Sequence, residues 1–90
     1  MSVILEFQLK VVDFQTITVP LHSTTILGVQ AYKKKAVLWV IGESYEEGSG
    51  WPAQELKLRM VSNDDEFDKK GLRYIGTFQN GHRWHVFEEL

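Results

Sequence analysis

Cysteine is absent from the 90 residues of this chain. That excludes disulfides, thiolate nucleophiles and Cys-ligated zinc, and a small domain that folds without disulfides suits a reducing compartment. Basic charge is not in excess. Ten Lys and Arg stand against twelve Asp and Glu, for a formal net charge of −2, so there is no bulk positive field to attract nucleic acid. Long hydrophobic runs are missing too. The apolar stretch Ala36 to Gly42 is far too short to cross a bilayer. Met1-Ser2-Val3-Ile4-Leu5-Glu6 has neither the basic nor the apolar region of a signal peptide, so a cytoplasmic, non-membrane protein is expected. No glycine-rich phosphate loop is present, because Gly48-Ser49-Gly50 runs into Trp51-Pro52 rather than Lys-Ser/Thr.

What remains is β-strand chemistry. Ninety residues make one domain, residues 1–90, with a single core and little room for a cleft between lobes. Val3, Leu5, Phe7 and Leu9 alternate with Ile4, Glu6, Gln8 and Lys10, the period of a strand. Val12 to Gln15 turns the chain. Thr16 to Val19 is a second strand, stopped by Pro20, which has no N–H for a ladder. His22 to Thr24 reads as loop. Thr25 to Tyr32 reads as a third strand with Thr25, Leu27, Val29 and Ala31 on one face, and Lys33-Lys34-Lys35 as a hairpin tip. Ala36 to Ile41 is an apolar run that fits a strand covered on both sides. Gly42 to Pro52 reads as an exposed loop. Leu56, Leu58 and Met60 alternate with Lys57, Arg59 and Val61, so a strand over 53–62 is preferred to a helix. Asn63 to Gly71 is an acidic loop with room for one helical turn near Glu66-Phe67-Asp68.

The C-terminal segment, Leu72 to Leu90, reads as a β-hairpin. Asn80-Gly81 suits a two-residue type I′ turn, whose central residues both need positive φ. With these two as the loop, Gln79 faces His82. One face then pairs Thr77 with Trp84, Ile75 with Val86 and Arg73 with Glu88. The other pairs Phe78 with Arg83, Gly76 with His85 and Tyr74 with Phe87. Together these elements predict an all-β fold of six or seven short antiparallel strands, in a curled meander sheet or small open barrel ending in a type I′ hairpin.

No residue set announces catalysis, and a non-enzymatic protein without cofactors is expected. His82 and His85 are three apart on a strand, so they point to opposite faces and cannot chelate one metal ion. Asp64, Asp65, Glu66 and Asp68 lack the spacing and central glycine of a calcium loop. Glu43, Glu46 and Glu47 form a second acidic group and Glu88-Glu89 a third. A surface on which they converged would suit a basic partner surface, such as a nucleic-acid-binding groove on another protein. Aromatic and Arg residues dominate binding hot spots. That makes Trp51, Phe78, His82, Arg83, Trp84 and His85 the candidate interaction residues, although for Trp84 the core beside Ile75 and Val86 is the preferred reading. Lys33, Lys34 and Lys35, beside Tyr32, are a candidate phosphate-binding run, or simply the charges that keep a hairpin tip soluble.

Several blocks occur in a telling order: Gln15-Thr16-Ile17 with Pro20, Gly28-Val29-Gln30, Leu38-Trp39, Leu72 to Thr77, and Trp84-His85-Val86-Phe87-Glu88. The set resembles an uncharacterised family of small phage and prophage proteins. Relatives carry Asn-Gly where Lys33-Lys34 stands, and a Gly- and His-containing segment where Ser62 to Asp65 stands. The resemblance implies a small protein acting in a bacterial cytoplasm and carries no catalytic residue. The function expected is a binding protein that inhibits a host macromolecule, such as a bacterial defence complex of the CRISPR type, by occupying its surface. One alternative is a binder that sequesters a nucleotide signal. Another is an oligomeric virion or assembly component. The partner expected is thus a host protein or a small nucleotide, with homo-oligomerisation open and direct nucleic-acid or membrane binding not expected.

Overall fold

Apolar residues at every second position build seven antiparallel strands in the computed structural model, which describes residues 1–46, 50 and 52–90. They are β1 (Ser2–Leu9), β2 (Phe14–Val19), β3 (His22–Tyr32), β4 (Lys35–Glu43), β5 (Gln54–Ser62), β6 (Leu72–Asn80) and β7 (His82–Glu89). No helix occurs among the described residues, and 54–62 is a strand, as the alternation of Leu56, Leu58 and Met60 indicates. The strands form two sheets rather than one curled sheet. Sheet A has the order β1-β4-β3 and sheet B the order β2-β5-β7-β6.

The two sheets enclose one core. Leu9, Ala36, Leu38 and Val40 from sheet A meet Val19, Leu56, Leu58, Met60, Phe78 and Val86 from sheet B, and Leu21 joins them from the connection between β2 and β3. Val3, Leu5 and Phe7 line the same side of β1, as their period predicts. β4 has the core on one face only, so the expected cover on its second face is missing among the described residues: Trp39 and Ile41 are half-buried and Lys35 is exposed. Its inner residues Ala36, Leu38 and Val40 are buried, and so is Val37 on the outer side.

Strand β3 departs from simple alternation. It begins at His22, which pairs with Glu43, and carries irregularities at Ser23-Thr24 and at Leu27. The residue slipped in at Leu27 reverses which side the later residues face. Thr25 and Leu27 therefore point outward, while Val29 and Ala31 pack on the core.

The turns are also redistributed. Lys33 and Lys34 both have positive φ, 49° and 64°, and join the paired residues Tyr32 and Lys35. They are the two-residue type I′ connection. At the C-terminal hairpin only Gly81 is left-handed, with φ 75°. Asn80 lies opposite His82, so the near half of the hairpin is shifted by one from the expected register. Phe78 faces Trp84, Thr77 faces His85 and Gly76 faces Val86. A bulge at Ile75 restores the expected pairs Tyr74–Phe87 and Arg73–Glu88. The physical reason is burial. The expected register puts Phe78 and Trp84 on opposite faces, whereas the shift turns both toward the core, and the bulge lets Ile75 join them.

The sheets meet where β3 crosses β6. A Cβ on Gly76 would lie 3.0 Å from Val29 Cγ1, so the missing side chain is what admits the other sheet. Two side-chain bonds also join the two sheets. Asn80 Nδ2 donates to the Lys34 carbonyl (3.3 Å), and Thr24 Oγ1 donates to Gln54 Oε1 (2.7 Å). The first bond ties the two hairpin tips together at one end of the molecule.

Candidate interaction surface

The outer face of sheet B carries one continuous row of side chains across all four strands. Phe14 on β2 pairs with Arg59 on β5, Arg59 with Phe87 on β7, and Phe87 with Tyr74 on β6. The register fixes the row, because directly opposed residues in an antiparallel sheet project to the same side. The Arg59 guanidinium lies over the Phe14 ring at 4.3 Å, within cation–π range. The Tyr74 ring meets Phe87 edge-on at 5.7 Å, and Phe67 of the acidic loop packs against Phe87 from above at 5.4 Å. Phe14 is 62 % exposed, Tyr74 57 % and Phe67 39 %. Three large rings stay in water beside an Arg, the composition that dominates interface cores.

Carboxylates stand in the segments beside this row, with Lys57 on the neighbouring outward rung and Lys69 and Lys70 in the same loop. Asp13 stands beside Arg59 at 4.0 Å, and the loop that delivers Phe67 also carries Asp64, Asp65, Glu66 and Asp68. Two of these carboxylates order the loop. Asp65 accepts from the Ser62 hydroxyl at 2.6 Å and from its backbone N–H at 3.3 Å, and these bonds hold its carboxyl below the ordinary 3.8. Asp68 accepts from the Lys70 N–H. Among the described residues, no group of three or more His, Asp or Glu is placed to hold a metal ion.

Next to the aromatic row runs a chain of polar bonds. Asn63 Oδ1 can only accept, so His85 Nε2 carries the proton it receives at 2.5 Å. His85 Nδ1 bonds the Thr77 hydroxyl at 2.8 Å, and the Thr77 and Tyr74 hydroxyls bond each other. A Thr hydroxyl on an oriented imidazole has the outline of an activated nucleophile. Thr77 also bonds the Tyr74 hydroxyl, and every member of the chain has a bonding partner. The network positions Tyr74 and the loop at Asn63.

The residues singled out from the sequence are dispersed by the fold. Phe78 is 4 % exposed and belongs to the core, so it offers nothing to a partner. Trp84 packs partly buried against that core with Ile75 and Val86. His82, exposed, meets the edge of Trp84 on the inner side, while His85 bonds on the outer side, so the two histidines lie on opposite faces. Arg83 is exposed at the hairpin tip on the His85 side. Trp51 lies outside the described residues. Lys33, Lys34 and Lys35 are exposed at the tip of sheet A.

Phe14, Arg59 and Phe67 were not singled out by sequence reasoning. Their one available signal was the pair Tyr74–Phe87, to which register alone adds Arg59 and Phe14. A separate hollow of about 810 Å³ opens at the far end, among Met1, His22, Glu43, Tyr45 and Gln54. There Glu43 takes bonds from the Ser2 hydroxyl and the N-terminal ammonium, which hold its carboxyl below the ordinary 4.5.

Over its whole length, residues 1–90, the chain matches a family described as a domain of unknown function (DUF7352), and it belongs to that family. No curated protein matches the chain, and no solved structure does.

Proposed function

We propose that this member of the DUF7352 family is a non-catalytic binding protein that acts by occupying a basic surface on another protein. The observation that carries the reading is the row Phe14–Arg59–Phe87–Tyr74 with Phe67 upon it, exposed and with carboxylates beside it. Exposed aromatic rings tend to mark contact surfaces. Rings and an Arg supply the apolar anchor, and the neighbouring Asp13, Asp64, Glu66 and Asp68 favour a partner with cationic surroundings. Proteins that bind nucleic acid present such surfaces. The resemblance to phage and prophage proteins supplies a setting, in which a bacterial defence nuclease or its guide-binding subunit has the matching chemistry.

The test has two stages. The tagged chain is used to capture partners from bacterial lysate, and each candidate is purified and titrated directly. Phe14→Ala with Tyr74→Ala is expected to weaken binding by about a hundredfold, two hot-spot rings at ~1.4 kcal/mol each. Ile4→Ser on the opposite sheet is expected to leave it unchanged. Binding that survives loss of both rings, or that is competed by no nucleic acid, overturns the reading.

A further inference from the structure

Sheet A carries a second, independent feature on its outer face. Consecutive rungs place Glu6 opposite Trp39, Gln8 opposite Val37, and Tyr32 opposite Lys35. Between them lies a hollow of about 240 Å³ lined by Glu6, Gln8, Tyr32, Lys33, Lys35 and Val37. Its two ends differ in charge. Lys33 and Lys35 stand at the tip, and the Lys33 ammonium leans on the Tyr32 ring at 5.3 Å. At the other end Glu6 is held in place, because the Trp39 indole N–H donates to its Oε1 at 3.1 Å. Four residue steps along β4 separate the end rungs, about 13 Å at strand spacing.

The lysines occupy positions that resist them. Lys33 and Lys34 are both left-handed, in a turn where Asn-Gly is unstrained. Strained backbone is retained where surroundings or function demand it. Solubility does not demand it here, since exposed Lys on any neighbouring position would serve. Lys33 keeps its ammonium in the hollow at a backbone cost, Lys35 adds a second from an unstrained position, and with an exposed ring beside them and an anchored carboxylate at the other end the hollow is arranged for an anion attached to an aromatic group.

We infer that this hollow binds a guanine mononucleotide. The phosphate lies between Lys33 and Lys35, and the base rests on Tyr32 and Val37. The guanine N1–H and N2–H donate to Glu6, whose Oε2 is unused by Trp39. Gln8 takes a remaining base or sugar group. Adenine presents one donor and one acceptor on that edge, and a carboxylate satisfies only the donor.

The experiment is a titration of the ¹⁵N-labelled full chain with GMP, AMP, guanosine and inorganic phosphate, read at the backbone amides. GMP is expected to give saturable shifts at Gln8, Tyr32, Lys33, Lys35 and Val37, with AMP, guanosine and phosphate each weaker. Lys35→Met should weaken GMP about tenfold or more, the loss of one charge-assisted hydrogen bond. Lys33→Asn with Lys34→Gly should weaken it likewise while the thermal midpoint does not fall. Glu6→Gln keeps an acceptor for Trp39 but presents donor and acceptor together, so the preference should pass from GMP to AMP. Absence of saturable GMP shifts overturns the inference. So does phosphate binding as tightly as GMP, or an unchanged base preference in Glu6→Gln.

Discussion

Replacing Lys33-Lys34 by Asn-Gly should stabilise the protein, and the amount can be worked from the turn. Both residues lie in the left-handed region, at φ 49° and 64°. A non-glycine residue there gives up about 1–2 kcal/mol to the contact between Cβ and the carbonyl oxygen. Glycine at position 34 removes that cost and returns about 0.5–1 kcal/mol as extra unfolded-chain entropy. Asparagine at position 33 removes part of its share, since its short side chain tolerates this conformation. The net gain is about 1–2 kcal/mol, which in a domain of this size raises the melting midpoint by about 5–15 °C. The Asn80 bond to the Lys34 carbonyl uses backbone and survives the change. Calorimetric melts and urea titrations with unchanged m-value measure it. The control is Lys33→Ala with Lys34→Ala, which removes both charges and keeps the strained backbone. If the alanine pair stabilises as much as Asn-Gly, charge repulsion was the relieved term and the backbone argument fails. It fails equally if Asn-Gly leaves the midpoint unchanged. The same replacement is expected to weaken the proposed nucleotide site, so stability and binding would oppose each other at one turn.

Two more outcomes follow from the packing and the charges. Gly42→Ala should destabilise by about 1–3 kcal/mol, because a Cβ there would lie 2.9 Å from Leu21 Cβ and 3.0 Å from the His22 carbonyl oxygen. Gly28→Ala, which meets nothing within 4 Å, should be neutral or slightly stabilising, and equal costs in urea melts would refute the contact argument. Asp65 and Glu43 are both held below their ordinary values of 3.8 and 4.5. Their contributions to stability are therefore fully present above those values and lost as pH falls through the lowered ones. Ser62→Ala should return the Asp65 carboxyl toward 3.8 in a carbon-detected NMR titration, and an unmoved midpoint would show that Ser62 is not its cause.

Much of the scaffold was legible from local pattern. The inward side of β1 and the alternation of β5 are period-two signals that become strands with the expected inner face, and the apolar run of β4 becomes a strand with the core on one face. Where long-range packing competes with local preference, the pattern misleads. Asn80-Gly81 is the better type I′ sequence, yet that turn forms at Lys33-Lys34. The C-terminal tip instead sets its register so that Phe78 and Trp84 share the core. Burying two large aromatic side chains is worth several kcal/mol, more than a turn preference. In β3, one slipped residue at Leu27 turns an apparently continuous face into two half-faces.

The candidate surfaces divide in the same way. By itself the sequence determined the strand composition, the absence of cysteine chemistry, and the placement of His82 and His85 on opposite faces, because these depend on residue type and a period of two. Only the tertiary structure decided that Phe14, Arg59, Phe87 and Tyr74 form one row, since their neighbours come from four strands spread over more than seventy residues of chain. It also withdrew Phe78 from the surface and set Glu6 two rungs from the lysine tip on one face of sheet A. Periodicity states which side a residue faces within its own strand. Which strand lies beside it is settled by how two sheets share one core, and that is a property of the whole chain.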